Sequence, residues 1–388
     1  MGFEKIYDNL VYLTYGHIIK LIIRIFNVFP MKQRVMCVSF QGSGFGGNIK
    51  YIINELFKID EDDIEVCWAV NNRHESYKNI KFIKHRTLAF YYYLATSKVW
   101  ICDTRIPWYW YKSTKQFYIQ TWHGGIALKK IEKDAESVLT TKYLKSAFHD
   151  SKMANLFISN SRFNTLLYRN AFWYDGEILE CGYPRNDILV ANHIEEANDI
   201  KYLKFGICTQ QKIVLYAPTF RVGKNIDVYD IDLQRCLVAL KEKYNDDFQL
   251  LVRFHPNISK MSKDFVRKFK CIDVTFYEDM QELLLIADVL ITDYSSTMFE
   301  FALMQKPVFL YANDEDDYKA DRGYYFELDS LPFSVSRTND ELYKNIISFD
   351  EVRYKENLKE FMKELGINET GKASSIVAKR IIREIGIV

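Results

Sequence analysis

The chain has seven cysteines (Cys37, Cys67, Cys102, Cys181, Cys208, Cys236, Cys271), none in a Cys-x-x-Cys pair and five inside apolar runs. That spacing argues against a disulfide scaffold or a zinc ribbon and predicts reduced core thiols of a cytosolic protein. An excess of charge is also missing, with 52 lysines and arginines against 51 aspartates and glutamates. No global field draws nucleic acid, so no nucleic-acid partner is expected. There is no run of ~20 uncharged apolar residues of the kind a membrane-spanning helix needs. The most apolar stretch, residues 17–29, carries Lys20 and Arg24 on one helical face. It reads either as a helix packed on the first domain or as an amphipathic helix in the membrane interface, and no cleavable signal peptide is expected. Internal repeats and low-complexity segments are absent.

Metal-ligand spacing is missing as well. No histidine and cysteine pattern suits zinc. The Asp230/Asp232 pair opens a helical pattern, and the acidic run 314–317 reads as a solvated loop. Chemistry without a metal or other cofactor is the expectation, with cations, histidine and hydroxyls stabilising charge.

What is present is alternation. The 388 residues exceed one compact core and suggest two domains of ~150 to 200 residues. From Arg34 onward, short apolar runs alternate with helical patterns, which predicts α/β units around parallel sheets. Strands are expected at 35–40, 66–70, 99–102, 117–120, 156–159 and 178–181, and after a polar stretch at 212–217, 248–253, 272–277, 288–292 and 307–311. The first strand runs into a glycine cluster, 41–47, that lacks the dinucleotide spacing in register with an acidic partner and reads as a mobile substrate loop.

Four strand ends carry chemistry. The run 117–119 leads into Gln120-Thr121-Trp122-His123-Gly124-Gly125, with Lys129 and Lys130 close behind, so a titratable imidazole and an anion-attracting patch share one span. Arg253-Phe254-His255-Pro256 follows a strand, where ligands of open α/β sheets bind. Asp293-Tyr294-Ser295-Ser296-Thr297 joins a buried strand to a helical pattern. One of its hydroxyls suffices for capping, and three suit an anion at a helix start, with Glu300 one turn on to accept a ribose hydroxyl or a base amino group. Arg221, in Tyr216-Ala217-Pro218-Thr219-Phe220-Arg221, could clamp a phosphate bidentately.

Taken with Gly182-Tyr183-Pro184-Arg185-Asn186-Asp187 and Arg322-Gly323-Tyr324-Tyr325-Phe326, these motifs resemble, in order, the CDP-glycerol glycerophosphotransferase family, whose members build teichoic acid and related capsular polymers. The resemblance covers residues 34–335. It implies a GT-B architecture of two facing Rossmann-like domains, the second binding a CDP-activated alcohol and the first receiving the acceptor. It also implies a catalytic pair: His123 as general base for the acceptor hydroxyl and His255 at the diphosphate. Arg221, Arg253, Asp293, Ser295, Ser296, Thr297 and Glu300 would serve the donor, and Gly124, Gly125, Lys129 and Lys130 the acceptor. Gly125-Ile126 stands where the family often has Thr-Pro.

The expected organisation is a membrane-facing amphipathic helix at 1–33, an acceptor-side domain at 34–190, a linker at 191–211 and a donor-binding domain with a helical tail at 212–388. The expected reaction moves a polyol phosphate, most simply glycerol phosphate, from CDP-glycerol or a related CDP-alcohol to a lipid-linked or polymeric glycan, releasing CMP. The expected place is the cytoplasmic face of the membrane. The competing readings are a CMP-sugar glycosyltransferase on the same fold and an inactive scaffold of a polymer-assembly complex.

Overall fold

The computed structural model describes residues 2–59, 64–72, 77, 79–191, 193–221, 229–255, 265 and 267–386. Its contacts divide the chain into two compact units. The first comprises Met1–His123, Glu132–Arg185 and Asn368–Val388, the second Gly124–Ile131 and Asn186–Ile367.

The first unit is built on a seven-stranded parallel sheet: β1 (Lys32–Val38), β2 (Glu65–Val70), β3 (Ile80–Lys84), β4 (Ser97–Cys102), β5 (Phe117–Gln120), β6 (Leu156–Ser159) and β7 (Glu177–Glu180), in the order β3-β2-β1-β4-β5-β6-β7. Successive side chains leave a strand on opposite faces, and here both faces are covered. Val35, Cys37, Val66, Trp68, Val99 and Ile101 pack beneath helix α2 (Gly47–Ile59) and the last helix, Ala373–Ile385. Met36, Val38, Cys67, Ala69, Trp100 and Cys102 lie in the core that holds Ile19 and Ile23 of helix α1 (Gly2–Phe26) and Phe90, Tyr91 and Leu94 of helix α3 (Leu88–Thr96). Two-sided burial is why these strands read as continuous apolar runs. The strand β3 escaped the sequence reading because at this edge of the sheet it buries Ile83 alone and alternates with Lys81 and Lys84.

The second unit repeats the plan with β8 (Lys212–Tyr216), β9 (Phe248–Val252), β10 (Ile272–Asp273), β11 (Val289–Thr292), β12 (Val308–Tyr311) and β13 (Ser334–Ser336), ordered β10-β9-β8-β11-β12-β13 and parallel throughout. The expected strand at 272–277 is only two residues long, because Thr275 N turns back to Asp273 Oδ1.

The linear division of the chain needs three corrections. Residues 191–211 are not a bare linker: they carry a helix at Ile194–Asp199 and a wider turn at Ile200–Lys204, and they belong to the second unit. Among the described residues there, only Ile200, Lys201 and Ile207 are buried, so the stretch looks polar in sequence. The helical tail is split. Its final helix inserts Ala373, Val377, Ala378, Ile381 and Ile385 into the first unit's core, a stripe at helical spacing whose larger members contribute ~1.5–3 kcal/mol each on full burial. Finally, Gly124–Ile131 leaves the first unit and belongs to the second.

Helix α1 has two apolar sides. Ile19 and Ile23 are buried, while Leu10, Val11, Ile18, Leu21 and Ile25 are exposed. Among the described residues, no helix is long and apolar enough to cross a membrane.

Candidate active site

His123 stands three residues past the end of β5, and the backbone leading to it is held at every step. Gln120 accepts from Trp122 N through Oε1 (2.9 Å) and donates through Nε2 to Thr104 O, Tyr118 Oη and Asp150. Asn48, at the start of α2, donates to Thr121 O and Trp122 O and accepts from Arg185 N. Arg185 in turn donates from Nη1 to His123 O at 2.6 Å. These bonds hold Trp122 at φ +53, a left-handed conformation that costs a bulky residue on the order of 1–3 kcal/mol and persists only where neighbours enforce it.

Beneath Trp122 lies a buried ion cluster. Arg105 donates to Asp150 (2.7 Å), Ser151 (3.0 Å) and Glu132 (2.9 Å), and its guanidinium packs over Phe172 and Trp122. Tyr118 adds a 2.6 Å bond to Asp150, and Tyr143 donates to Glu132. Each buried charge is therefore met by partners, which such groups require.

The His123 ring makes one informative contact: Nδ1 lies 2.8 Å from Asp103 O. A carbonyl oxygen only accepts, so Nδ1 carries the proton and Nε2 is left with its lone pair. Desolvation, with Arg185 and Arg105 nearby, lowers the imidazole pKa against the opposing pull of that carbonyl. The exposed ring is thus held neutral, in the tautomer of a base.

In the second unit, the expected donor residues gather at the carboxyl ends of the strands. His255 follows β9, is exposed, and stacks on Phe220 at 4.9 Å; its pKa is lowered by desolvation. Pro256 lies outside the described residues, as does the side chain of Arg322. Arg253 donates to Tyr277 O at 2.6 Å. Ser295 Oγ donates to Thr297 Oγ1 and accepts from Thr297 N, so that hydroxyl is tied to the first residue of the following helix. The helix that follows, Thr297–Phe301, is five residues long and continues as a tighter turn, Ala302–Met304. So short a helix puts little dipole behind the hydroxyls of Ser295, Ser296 and Thr297.

Three sequence readings change here. Arg221 is buried, and its fork closes on protein: Nε and Nη2 bond Asp314, while Nη1 bonds Asp293 and Thr219 O. It is a clamp on carboxylates rather than on phosphate. Burial works against its charge, and the two aspartates more than offset this. Asp293 likewise accepts from Thr219 N, Thr219 Oγ1, Tyr294 N and Arg221, which makes it the tie between the loops after β8 and β11. The acidic run 314–317 is no solvated loop: Asp314 takes the bidentate Arg221 fork and the Tyr294 hydroxyl (2.9 Å), and a helix begins at Glu315.

Glu300 is buried and accepts from Gln281 at 2.5 Å. A Cβ on Gly125 would lie 2.9 Å from Glu300 Oε1, so a larger residue there needs the Glu300 side chain to shift. Lys129 Nζ sits 3.4 Å from the centroid of the Tyr318 ring, which itself stacks on Tyr294 at 3.9 Å. Lys130 is exposed, and its backbone amide bonds Gly323 O. Gly124 is half-buried at the start of this segment. The glycine cluster 41–47 is pinned rather than mobile, since Asn71 bonds Gly42 O, Gln41 O and Ser43 Oγ.

Asp103, Asn48 and the Arg105 cluster were missed by the sequence reading, and Arg185 was read only as part of the motif at 182–187. Each is a single polar residue at a strand end or turn, and what distinguishes it is which strands are neighbours. Among the described residues, no group of three or more metal-ligating side chains is assembled.

Residues 21–383 match the family described as CDP-Glycerol:Poly(glycerophosphate) glycerophosphotransferase. The chain belongs to this family. It is 30% identical over 400 residues to the teichoic acid glycerol-phosphate transferase of Staphylococcus aureus, covering 98% of each protein. It is 32% identical over 378 residues to the teichoic acid poly(glycerol phosphate) polymerase of Staphylococcus epidermidis, covering 92% of this chain and 51% of that protein, so it spans about half of that relative's length. A solved structure of the wall teichoic acid polymerase TagF, soaked with CDPG, superposes with a TM-score of 0.82 at 28% identity, covering 99% of this chain and 97% of that one. The fold is accordingly the GT-B type, and the protein is an enzyme of the glycerophosphotransferase kind, the kind its relatives represent in teichoic acid synthesis. CDP-glycerol is the donor that the family's description names.

Proposed function

We propose that the protein transfers glycerol phosphate from CDP-glycerol to a hydroxyl of a lipid-linked or polymeric glycan, releasing CMP, in the synthesis of teichoic acid or a related cell-surface polymer. His123 Nε2 takes the proton of the acceptor hydroxyl. The oxygen then bonds the β-phosphorus, and the bond from that phosphorus to the bridging oxygen of CMP breaks. His255, Arg253 and the hydroxyls of Ser295, Ser296 and Thr297 stabilise charge on the diphosphate. Arg221 and Asp293 act as positioning residues for that hydroxyl-bearing loop. Lys129 and Lys130, on the segment that follows the base, guide the acceptor, although that segment belongs to the second unit.

The observation that carries this reading is the 2.8 Å contact of His123 Nδ1 with Asp103 O, which, since a carbonyl only accepts, leaves Nε2 as the free base. The exposed apolar side of helix α1 supports a peripheral place on the inner membrane face, where such a helix lies in the interface. No metal is assigned a role, and chelator-treated enzyme is expected to keep its rate.

The test is CMP release from CDP-glycerol against a CMP-sugar, with wild type and His123→Ala. Release from CDP-glycerol that drops at least ~10²-fold in the variant, with donor binding kept, is the expected result. Release from the CMP-sugar alone identifies a glycosyltransferase instead, and full turnover by the variant removes the base assignment.

A further inference from the structure

A general base must be able to carry the charge it takes on. Once Nε2 of His123 holds the acceptor's proton the ring is a cation, and in a serine-protease triad a carboxylate at the other nitrogen stabilises that cation. Here Nδ1 faces the backbone oxygen of Asp103, at 2.8 Å. The carboxyl of that aspartate is engaged elsewhere, by the hydroxyl of Ser39 at 2.6 Å and the amide of Phe40 at 2.8 Å. Arg185 and Arg105 carry the wrong sign, and they add to the desolvation that lowers the imidazole pKa. An uncharged neighbour is in place to offset them.

The Trp122 ring has its centroid 4.4 Å from that of His123, with the planes at 37°, inside the ~6 Å over which a cation gains from an aromatic face. Phe40, the other ring beside His123, is 6.3 Å away at 62°. Trp122 is kept there against its backbone preference. At φ +53 it takes a conformation that glycine adopts freely and a bulky residue does not. Gln120 Oε1 accepts from its amide at 2.9 Å and Asn48 Nδ2 donates to its carbonyl at 3.1 Å, so the strained turn is braced from both sides. Strain held beside a reacting group points to a use for the side chain that bears it. The Arg105 guanidinium also lies 5.5 Å from the Trp122 ring, but it is bonded to two carboxylates, Asp150 and Glu132, which answer its charge. The negative potential of the indole face is thus left for the imidazole.

We propose that Trp122 is a positioning residue for the base, whose indole face stabilises the His123 imidazolium formed when Nε2 takes the proton of the acceptor hydroxyl. It does for this histidine what a carboxylate does in a triad. The neutral imidazole gains much less from the same face, so the ring lowers the barrier without tightening either substrate. The proton stays on Nε2 until it passes to solvent, and CMP leaves with the electron pair of the broken phosphorus–oxygen bond. The proposal rests on the reading of His123 as the acceptor's base and holds for any acceptor hydroxyl.

The test replaces Trp122 in the full chain, by site-specific incorporation, with mono-, di- and trifluorinated tryptophan, which withdraw charge from the ring while nearly keeping its shape. CMP release is followed with CDP-glycerol and a short poly(glycerophosphate) acceptor. Across the series kcat is expected to fall stepwise, about tenfold in all, with both KM values and the unfolding temperature little changed. Trp122→Phe is expected to keep more of kcat than Trp122→Leu, since a phenyl face still holds a cation. A ring that only fills space gives a level kcat across the fluorinated set, and that result overturns the proposal, as does a fall in kcat that merely follows a fall in unfolding temperature. Should His123→Ala keep full turnover, the base assignment falls instead. An NMR titration of the His123 ring, without substrates, then decides the pairing of the two rings by itself. A midpoint that moves to lower pH as fluorine is added supports it, and a fixed midpoint overturns it.

Discussion

Both units close the point where strand order reverses with an aspartate clasp, and the two clasps differ in one respect. In the first, Asp103 after β4 accepts from the amide of Phe40 and the hydroxyl of Ser39 after β1. In the second, Asp293 after β11 accepts from the amide and the hydroxyl of Thr219 after β8. The sheet positions correspond, and the ends of such strands at a switch point are where ligands bind. Asp293, however, has the buried Arg221 at 2.8 Å, whereas burial without such an ion pair pushes the Asp103 carboxyl up to about 6. The second clasp is therefore an ion-paired brace that holds the hydroxyl-bearing loop after β11 in one shape. The first, without an ion pair, is a hinge point that holds an exposed phenylalanine and the His123 imidazole in register.

The largest expected contrast is in stability. Asp293→Ala leaves Arg221 facing Asp314 alone and is expected to cost ~3–5 kcal/mol, as removal of one partner from a buried ion pair does. Asp103→Ala removes hydrogen bonds and also a poorly solvated carboxylate, so a loss of only ~1–3 kcal/mol is expected. Thermal or denaturant unfolding of the two variants measures the difference, and equal losses would remove the distinction between brace and hinge.

Next comes pH. The Asp103 pKa is raised in the folded state from 3.8 to about 6, so the native chain keeps a proton that the unfolded chain has already released. Stability from this group is present below about pH 4 and is lost as pH rises through about 6, a change of ~3 kcal/mol. Relative to wild type, Asp103→Asn is expected to gain stability by that amount between pH 4 and pH 7. A pH-independent difference would show that the carboxyl titrates normally. The smallest effect concerns the loop beyond the base. Gly125→Ala drives a methyl to 2.9 Å from Glu300 Oε1 and is expected to cost ~1–3 kcal/mol, against a smaller cost for Gly44→Ala, whose methyl would meet Phe40 Cδ2 at an ordinary 3.5 Å. Equal midpoints for the two variants would mean that Glu300 moves aside freely.

Much of this was legible in advance because burial writes itself into sequence. The strands β4, β5, β6, β8, β9, β11 and β12 show as apolar runs, since both faces of their sheets are covered, and the histidines show as the polar residues that end two of those runs. The edge strands β3 and β13 did not show, nor did the helical nature of 194–204, because one-sided burial leaves a mixed pattern. Arg221 was misjudged for a different reason. An arginine past a strand end looks the same in sequence whether its fork meets a phosphate or Asp314, which lies 93 residues away.

The sequence by itself thus determined the α/β alternation, the family motifs and the two candidate catalytic histidines, since each depends on neighbours along the chain. Tertiary structure alone decided the partners: Asp103 for His123, Asp314 for Arg221, Glu300 for Gly125, and the first unit's core for the final helix. Those pairings depend on which strand lies beside which, and strand order leaves no local trace in the side chains that it brings together.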